Sequence, residues 1–223
     1  MSYQLDRMVK VSELVQGSVK EQMTQFYREC VDCEKCTARK EAKAPTVGIG
    51  NTDAEILIVG RNPGKQEDSK GIPFVGPGGE LLTNWLGWVG LEFSQLYITN
   101  MVKCYTTSDR PPTDPEIITC AQTWLSREMQ ILPNVKLVLA MGDQVCVCLT
   151  GHKQAEVRST VQRRYLGGKE LSIIACIHPG APLHSAKSMP NFKNDAYFTR
   201  SVILNHPQLS KSIKLSSNVA FFT

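Results

Sequence analysis

The stretch AEILIVGRNPG, from Ala54 to Gly64, opens with a short apolar run that ends at Gly60 and passes into the turn-forming Asn62-Pro63-Gly64. It is too short for a buried helix and does not alternate polar with apolar, so it reads as a strand buried on both faces of a parallel sheet. Working outward, similar runs occur at Leu96–Asn100 (LYITN), Lys136–Gly142 (KLVLAMG) and Leu171–Ile177 (LSIIACI). Helical patterns separate them over residues 79–89, 115–130 and 143–149, and a polar amphipathic helix is expected over 9–28. Strands alternating with helices predict an α/β fold, a single-domain parallel-sheet sandwich with helices on both faces. In such sheets ligands bind beyond the carboxyl ends of the strands. The unusual residues stand there: Arg61-Asn62-Pro63-Gly64, Asn100, and His178-Pro179-Gly180. The expected organisation is an N-terminal helical segment (1–29), one domain (30–207) and a serine-rich tail (208–223).

The 223 residues, 42% hydrophobic and 21% charged, are those of a soluble globular chain. No apolar run approaches the roughly 20 residues of a membrane span. The opening MSYQLDRMVKVSEL lacks the apolar core of a signal peptide, so no membrane association and a cytoplasmic location are expected. A net charge of +4 and a pI near 8.6 permit nucleic acid as a partner without requiring it. No protein partner is evident, and a monomer is expected.

Eight cysteines are many for a reducing compartment, where thiols or metal ligands are expected rather than disulfides. Cys146, Cys148 and Cys176 lie in hydrophobic runs and suit buried thiols. Cys33-x-x-Cys36, set among charged residues, suits a ligand pair, with Cys104 and Cys120 as a second pair further on. Four thiolates hold either a tetrahedral zinc or a [4Fe–4S] cluster, and spacing alone leaves both open. Cys30 also makes C-x-x-C with Cys33, so the first pair is ambiguous.

After Cys33 and Cys36 come Gly48-Ile49-Gly50, then GRNPGKQEDSKGIPFVGPGGELL from Gly60 to Leu82, TNMVKC from Thr99 to Cys104, Cys120, and His178-Pro179-Gly180. In this order the motifs resemble the iron–sulfur family 4 enzymes of the uracil-DNA glycosylase superfamily, over roughly residues 33 to 206. The resemblance implies a uracil-DNA glycosylase-like fold and a structural [4Fe–4S] cluster on Cys33, Cys36, Cys104 and Cys120. It also implies a monofunctional DNA glycosylase that flips a pyrimidine from DNA and hydrolyses its N-glycosidic bond. Motif A departs from family 4: GRNPG resembles that of mismatch-specific and thymine-DNA glycosylases, in which the asparagine positions the attacking water.

Glycosidic cleavage must stabilise a cationic sugar and a departing base whose negative charge collects on a carbonyl oxygen. His178 is the candidate donor to that oxygen; its bland alternative is a strand-end cap. Asn62 is the candidate holder of the water, against a turn asparagine serving its own backbone. Gly60, Arg61, Glu67, Phe74 and Asn100 are expected at the substrate. Phe74 would stack on the base, Asn100 would read its edge, and Glu67 would lie near the pyrimidine C5 position. Asp68 reads as structural. Leu183 would fill the gap left by the base, and Gly180, in place of the family's serine, would leave a backbone N–H for a phosphate. Arg163 and Arg164 surround a predicted hairpin and could meet phosphates, or form a solvated basic face. The short stretch between Cys104 and Cys120 lacks the histidine with which one branch traps its product, so covalent trapping is not expected. Arg61 and Asn62 together suggest a pocket broader or more polar than a strict uracil pocket. The base could then be uracil, in repair, or a modified pyrimidine such as glucosylated hydroxymethylcytosine, in anti-phage defence. Other readings are a noncatalytic iron–sulfur DNA-binding protein and a zinc-bound structural protein.

Overall fold

The computed structural model describes residues 17–209 and 213–216. In chain order the main elements are α1 (Val19–Val31), α2 (Ala38–Glu41), β1 (Ile49–Gly50), β2 (Ile56–Gly60), α3 (Lys65–Lys70), α4 (Pro77–Val89) and β3 (Leu96–Asn100). Then follow α5 (Asp114–Cys120), α6 (Ser126–Ile131), β4 (Leu137–Met141), α7 (Asp143–Thr150), α8 (Gln154–Val157), β5 (Val161–Leu166), β6 (Lys169–Cys176), α9 (Ala181–His184) and α10 (Met189–Asn205). A π-helical turn, Ala121–Leu125, joins α5 to α6, so the helix expected over 115–130 is one rod with a bulge just after Cys120. The first described helix starts at Val19, where Ser18 and Glu21 cap each other's backbone N–H groups. The earlier part of the helix expected over 9–28 falls outside the described residues, apart from Gly17 and Ser18.

The six strands lie in the order β1-β3-β2-β4-β6-β5. The four inner ones are parallel, as the apolar runs predict. Both edge strands are antiparallel, so the sheet is mixed rather than wholly parallel. β1 is only two residues long, too short to show as a run. β5 returns directly onto β6 through Gly167-Gly168, both at positive φ, the backbone a two-residue hairpin turn requires.

Alternation along the strands divides the core into two layers. Leu57, Val59, Val138, Ala140 and Ile173 face α1, α5–α6 and α7, whereas Ile56, Ile58, Leu137, Leu139, Met141 and Ile174 face α4 and α10. The result is a sheet sandwiched between helices, with the carboxyl ends of β2, β3, β4 and β6 on one edge. Phe26 and Cys30 of α1 belong to the first layer. In the tail, Ser216 donates its N–H to Gly90 O at 2.9 Å, and Leu209, Ile213 and Leu215 pack on the second layer. No helix among the described residues is long and apolar enough to cross a membrane.

Candidate active site

Gly60 and Asn100 are paired at the ends of β2 and β3. A methyl group on Gly60 would lie 2.3 Å from Asn100 Oδ1 and 2.5 Å from Phe74 Cζ. The hydrogen at this position therefore lets an aromatic ring and an amide meet over the strand end. Asn100 is 3% exposed, yet its side-chain amide has no hydrogen-bond partner among the described residues. Its open donor and acceptor are thus free to meet the polar edge of a ligand. Phe74 has φ 55°, the left-handed region, a conformation that costs on the order of 1–3 kcal/mol in a non-glycine residue. Glu67 helps hold its loop: the buried carboxylate accepts the N–H of Gly76 at 2.8 Å.

On the turn after β2, Asn62 is fixed from both sides. Its Nδ2 donates to Pro63 O and to Thr106 Oγ1, each at 3.1 Å, while Oδ1 accepts from Arg61 Nε at 2.8 Å. The buried Thr106 hydroxyl gives its only proton to Arg110 O at 2.5 Å, so toward Asn62 it must accept. The Arg110 guanidinium is tied in turn to Glu41 of α2 and Glu116 of α5. That guanidinium, with Thr37 and Thr113, holds the Glu116 carboxyl down to about 2. Burial lowers the Arg61 pKa and the charge of Asp109 opposes this.

His178 follows β6, where the N–H of Ile177 is held by Asp195 Oδ2 of α10 at 2.8 Å. The Gly180 N–H donates to His178 Nδ1 at 3.0 Å. With Nδ1 accepting, the proton of a neutral ring sits on Nε2. Burial, helped by the charges of Arg61 and His184, pushes the His178 pKa down to about 4. The imidazole is thus neutral at physiological pH and offers Nε2–H as a donor.

Near the ends of α1 and α5, Cys30, Cys33, Cys36, Cys104 and Cys120 line one small pocket with Lys103 and Trp124. Burial drives the Cys104 thiol well up and the Cys120 thiol up to about 12, so thiolates here would need a cation. Donors already point at sulfur: Lys103 N to Cys120 Sγ at 3.2 Å and Trp124 Nε1 to Cys33 Sγ at 3.1 Å. No three ligands among the described residues are drawn closely enough for a single ion. Thiols and N–H donors gathered at one pocket are the donor chemistry of a thiolate-held inorganic centre.

The model of the family described as the uracil DNA glycosylase superfamily matches residues 47–202. The chain belongs to that superfamily. It is similar to the type-4 uracil-DNA glycosylase of Archaeoglobus fulgidus, at 34% identity over 78% of this chain and 90% of that one. The type-4 enzyme of Thermotoga maritima is 34% identical over 66% of this chain and 76% of its own. A type-5 uracil-DNA glycosylase of Thermus thermophilus is 30% identical over 48% and 55%.

Within this uracil-DNA glycosylase fold, residues 60, 61, 62, 74, 100 and 178 all stand at the carboxyl edge of the sheet or on the loops leaving it. The remaining expected residues are placed as follows. The Gly180 N–H is turned inward onto His178 and is not left for a phosphate. Arg164 gives Nε and Nη2 to Thr150 O, at 3.1 and 2.7 Å, and so closes the carboxyl end of α7. Arg163 is exposed and sits 3.6 Å from Glu170, opposite Ser172, a strand's length from the His178 turn. Leu183, by contrast, is 51% exposed on α9 just beyond that turn. Thr106, Asp195 and the Lys103–Glu128 pair shape the site without any local sequence signal. Lys103 Nζ lies 2.5 Å from Glu128 Oε2 and 2.8 Å from Asn100 O, with both side chains almost fully buried. The TNMVKC motif marks Lys103 at most; its partner lies in the middle of a helix.

Proposed function

We propose that this DNA glycosylase flips uracil from DNA and hydrolyses the bond between the base and its sugar. The observation that carries the reading is the neutral His178 imidazole, whose Nδ1 is taken by Gly180 and whose Nε2–H remains a donor. The flipped base stacks on Phe74 over Gly60, and Asn100 presents donor and acceptor to its edge. As the C1′–N1 bond breaks, its electron pair passes to the base. His178 Nε2–H then stabilises the charge that collects on the carbonyl oxygen. Asn62 Oδ1 holds a water, whose oxygen bonds to C1′; its proton leaves to solvent or base, and the products are an abasic sugar and the free base.

Cys33, Cys36, Cys104 and Cys120 are proposed to hold a [4Fe–4S] cluster, with Cys30 beside it as a non-ligand. When bound, the cluster is a cross-link between the end of α1 and the loops around α5. Leu183 fills the gap in the duplex. Arg163 remains an outlying candidate for phosphate, whereas Arg164 serves the α7 end. Nothing favours the broader pocket expected from Arg61, because its Nε bonds Asn62 and no substituent need be invoked. Glu67 is retained as a holder of the Phe74 loop beneath the base.

The test is single-turnover cleavage of an oligonucleotide bearing one uracil, read by alkaline cleavage. Asn62→Ala and His178→Ala should each lose about 100-fold or more, on the order of the loss of one pre-oriented hydrogen-bonding group, while DNA affinity, carried by phosphates, holds. A variant within threefold of wild type removes that residue's role.

A further inference from the structure

We infer that Arg61 is a positioning residue that locks the Asn62 side-chain amide with its oxygen toward the reacting water. The inference rests on the reading of Asn62 as the holder of that water.

An asparagine amide can turn over by half a rotation, exchanging oxygen for nitrogen, and only the oxygen accepts a proton from water. Two hydrogen bonds decide the matter here. Thr106 Oγ1 has given its proton to Arg110 O, so it can only accept from Asn62, which assigns Nδ2 to that side. Arg61 can only donate, and its Nε meets the other atom of the amide at 2.8 Å, which must then be oxygen. Turning the amide over would place N–H against N–H at Arg61 and leave the Thr106 hydroxyl facing a carbonyl with no proton to share. Both hydrogens of Nδ2 are occupied, by Thr106 and Pro63 O, and one lone pair of Oδ1 is occupied by Arg61. The single unfilled position on the amide is the second lone pair of Oδ1. Arg61 makes no ion pair among the described residues; the Asp109 charge acts on it only at a distance. Its fixed contact is with Asn62.

The test is a double-substitution cycle on the full-length protein with its native cofactor content, using the same uracil oligonucleotide. Glutamine places an amide N–H at the position of the arginine Nε, and methionine places a methyl there. Arg61→Met should slow single-turnover cleavage about tenfold, and Arg61→Gln should recover most of that loss. In an Asn62→Ala background, followed over long incubations, Arg61→Met should cost less than twofold, because no amide remains to position. The dissociation constant for DNA and its salt dependence should not change. Equal losses in both backgrounds, or weakened DNA binding with a shallower salt slope, would overturn the inference and make Arg61 an independent phosphate contact. No loss from Arg61→Met, with Asn62→Ala still inactive, would overturn the inference while leaving the role of Asn62 standing. Near wild-type cleavage by Asn62→Ala would overturn both.

Discussion

Gly60→Ala is a sharp probe of the base pocket because the space it would fill is already taken. The added methyl would lie 2.3 Å from Asn100 Oδ1 and 2.5 and 3.0 Å from Phe74 Cζ and Cε2. Relaxed contacts between such atoms are about 3.5–4.0 Å, so ring and amide must each withdraw by roughly 1 Å. Neither yields freely: Asn100 ends a central strand and is nearly buried, and Phe74 already holds a left-handed backbone. Overpacking of this kind costs about 1–3 kcal/mol of stability, or roughly 2–12 °C in a domain of this size. A displacement near 1 Å in a binding group can slow chemistry about 100-fold, roughly 2.7 kcal/mol in the barrier. Single-turnover cleavage and thermal melting measure both effects. Gly87→Ala is the control: nothing lies within 4 Å of its new methyl, inside α4. That change should leave the rate alone and stabilise the helix by about 0.5–1 kcal/mol. Cleavage by Gly60→Ala within threefold of wild type would refute the packed pocket of Phe74 and Asn100.

The cleavage rate should stay level from pH 8 to about pH 5, because His178 is neutral until pH approaches 4 in the presence of Arg61 and His184. Since its folded value lies below the usual 6.5, the unfolded chain binds the proton more readily. His178 therefore contributes stability that is complete above pH 6.5 and lost as pH falls toward 4; a rate inflection at 6.5 that disappears in His178→Gln would contradict this. Cys120→Ala should purify without iron and without absorbance in the visible blue, whereas Cys30→Ala should keep both; normal iron in Cys120→Ala would remove the ligand assignment. Leu183→Ala should slow cleavage of duplex uracil more than that of single-stranded uracil, since only a duplex leaves a gap to fill. Equal effects on the two substrates would exclude that role.

The inner strands were legible because burial on both faces writes the same apolar run four times, and the carboxyl-end rule then places Asn62, Asn100 and His178 at one edge. The edge strands were less so: β1 is too short to carry a pattern, and β5 alternates exposed and half-buried residues, with only the Gly167-Gly168 turn to announce it. Of the site, side chains adjacent to motifs could be read, but their partners could not. Thr106 meets Asn62, and Asp195 meets Ile177, across long stretches of chain, and hydroxyls and carboxylates in helices or loops look alike whether or not they are engaged. The fate of a backbone N–H is equally silent: nothing in the sequence announces that the one on Gly180 donates to His178.

The buried pair of Lys103 and Glu128 has a consequence for how this sequence can change over time. Each charge is sealed from water and compensated by the other. Removing either alone leaves the survivor unpaired, at a cost of about 3–5 kcal/mol, a large share of the roughly 5–15 kcal/mol that holds a domain together. Exchanging both for apolar residues removes the unpaired charge but also requires new partners for the Gly48 N–H and the Tyr97 and Thr99 hydroxyls that now donate to Glu128. The two positions therefore sit on either side of a fitness valley, crossed only by simultaneous replacement or through an intermediate propped up elsewhere. Among relatives of this chain they should be inherited together or lost together.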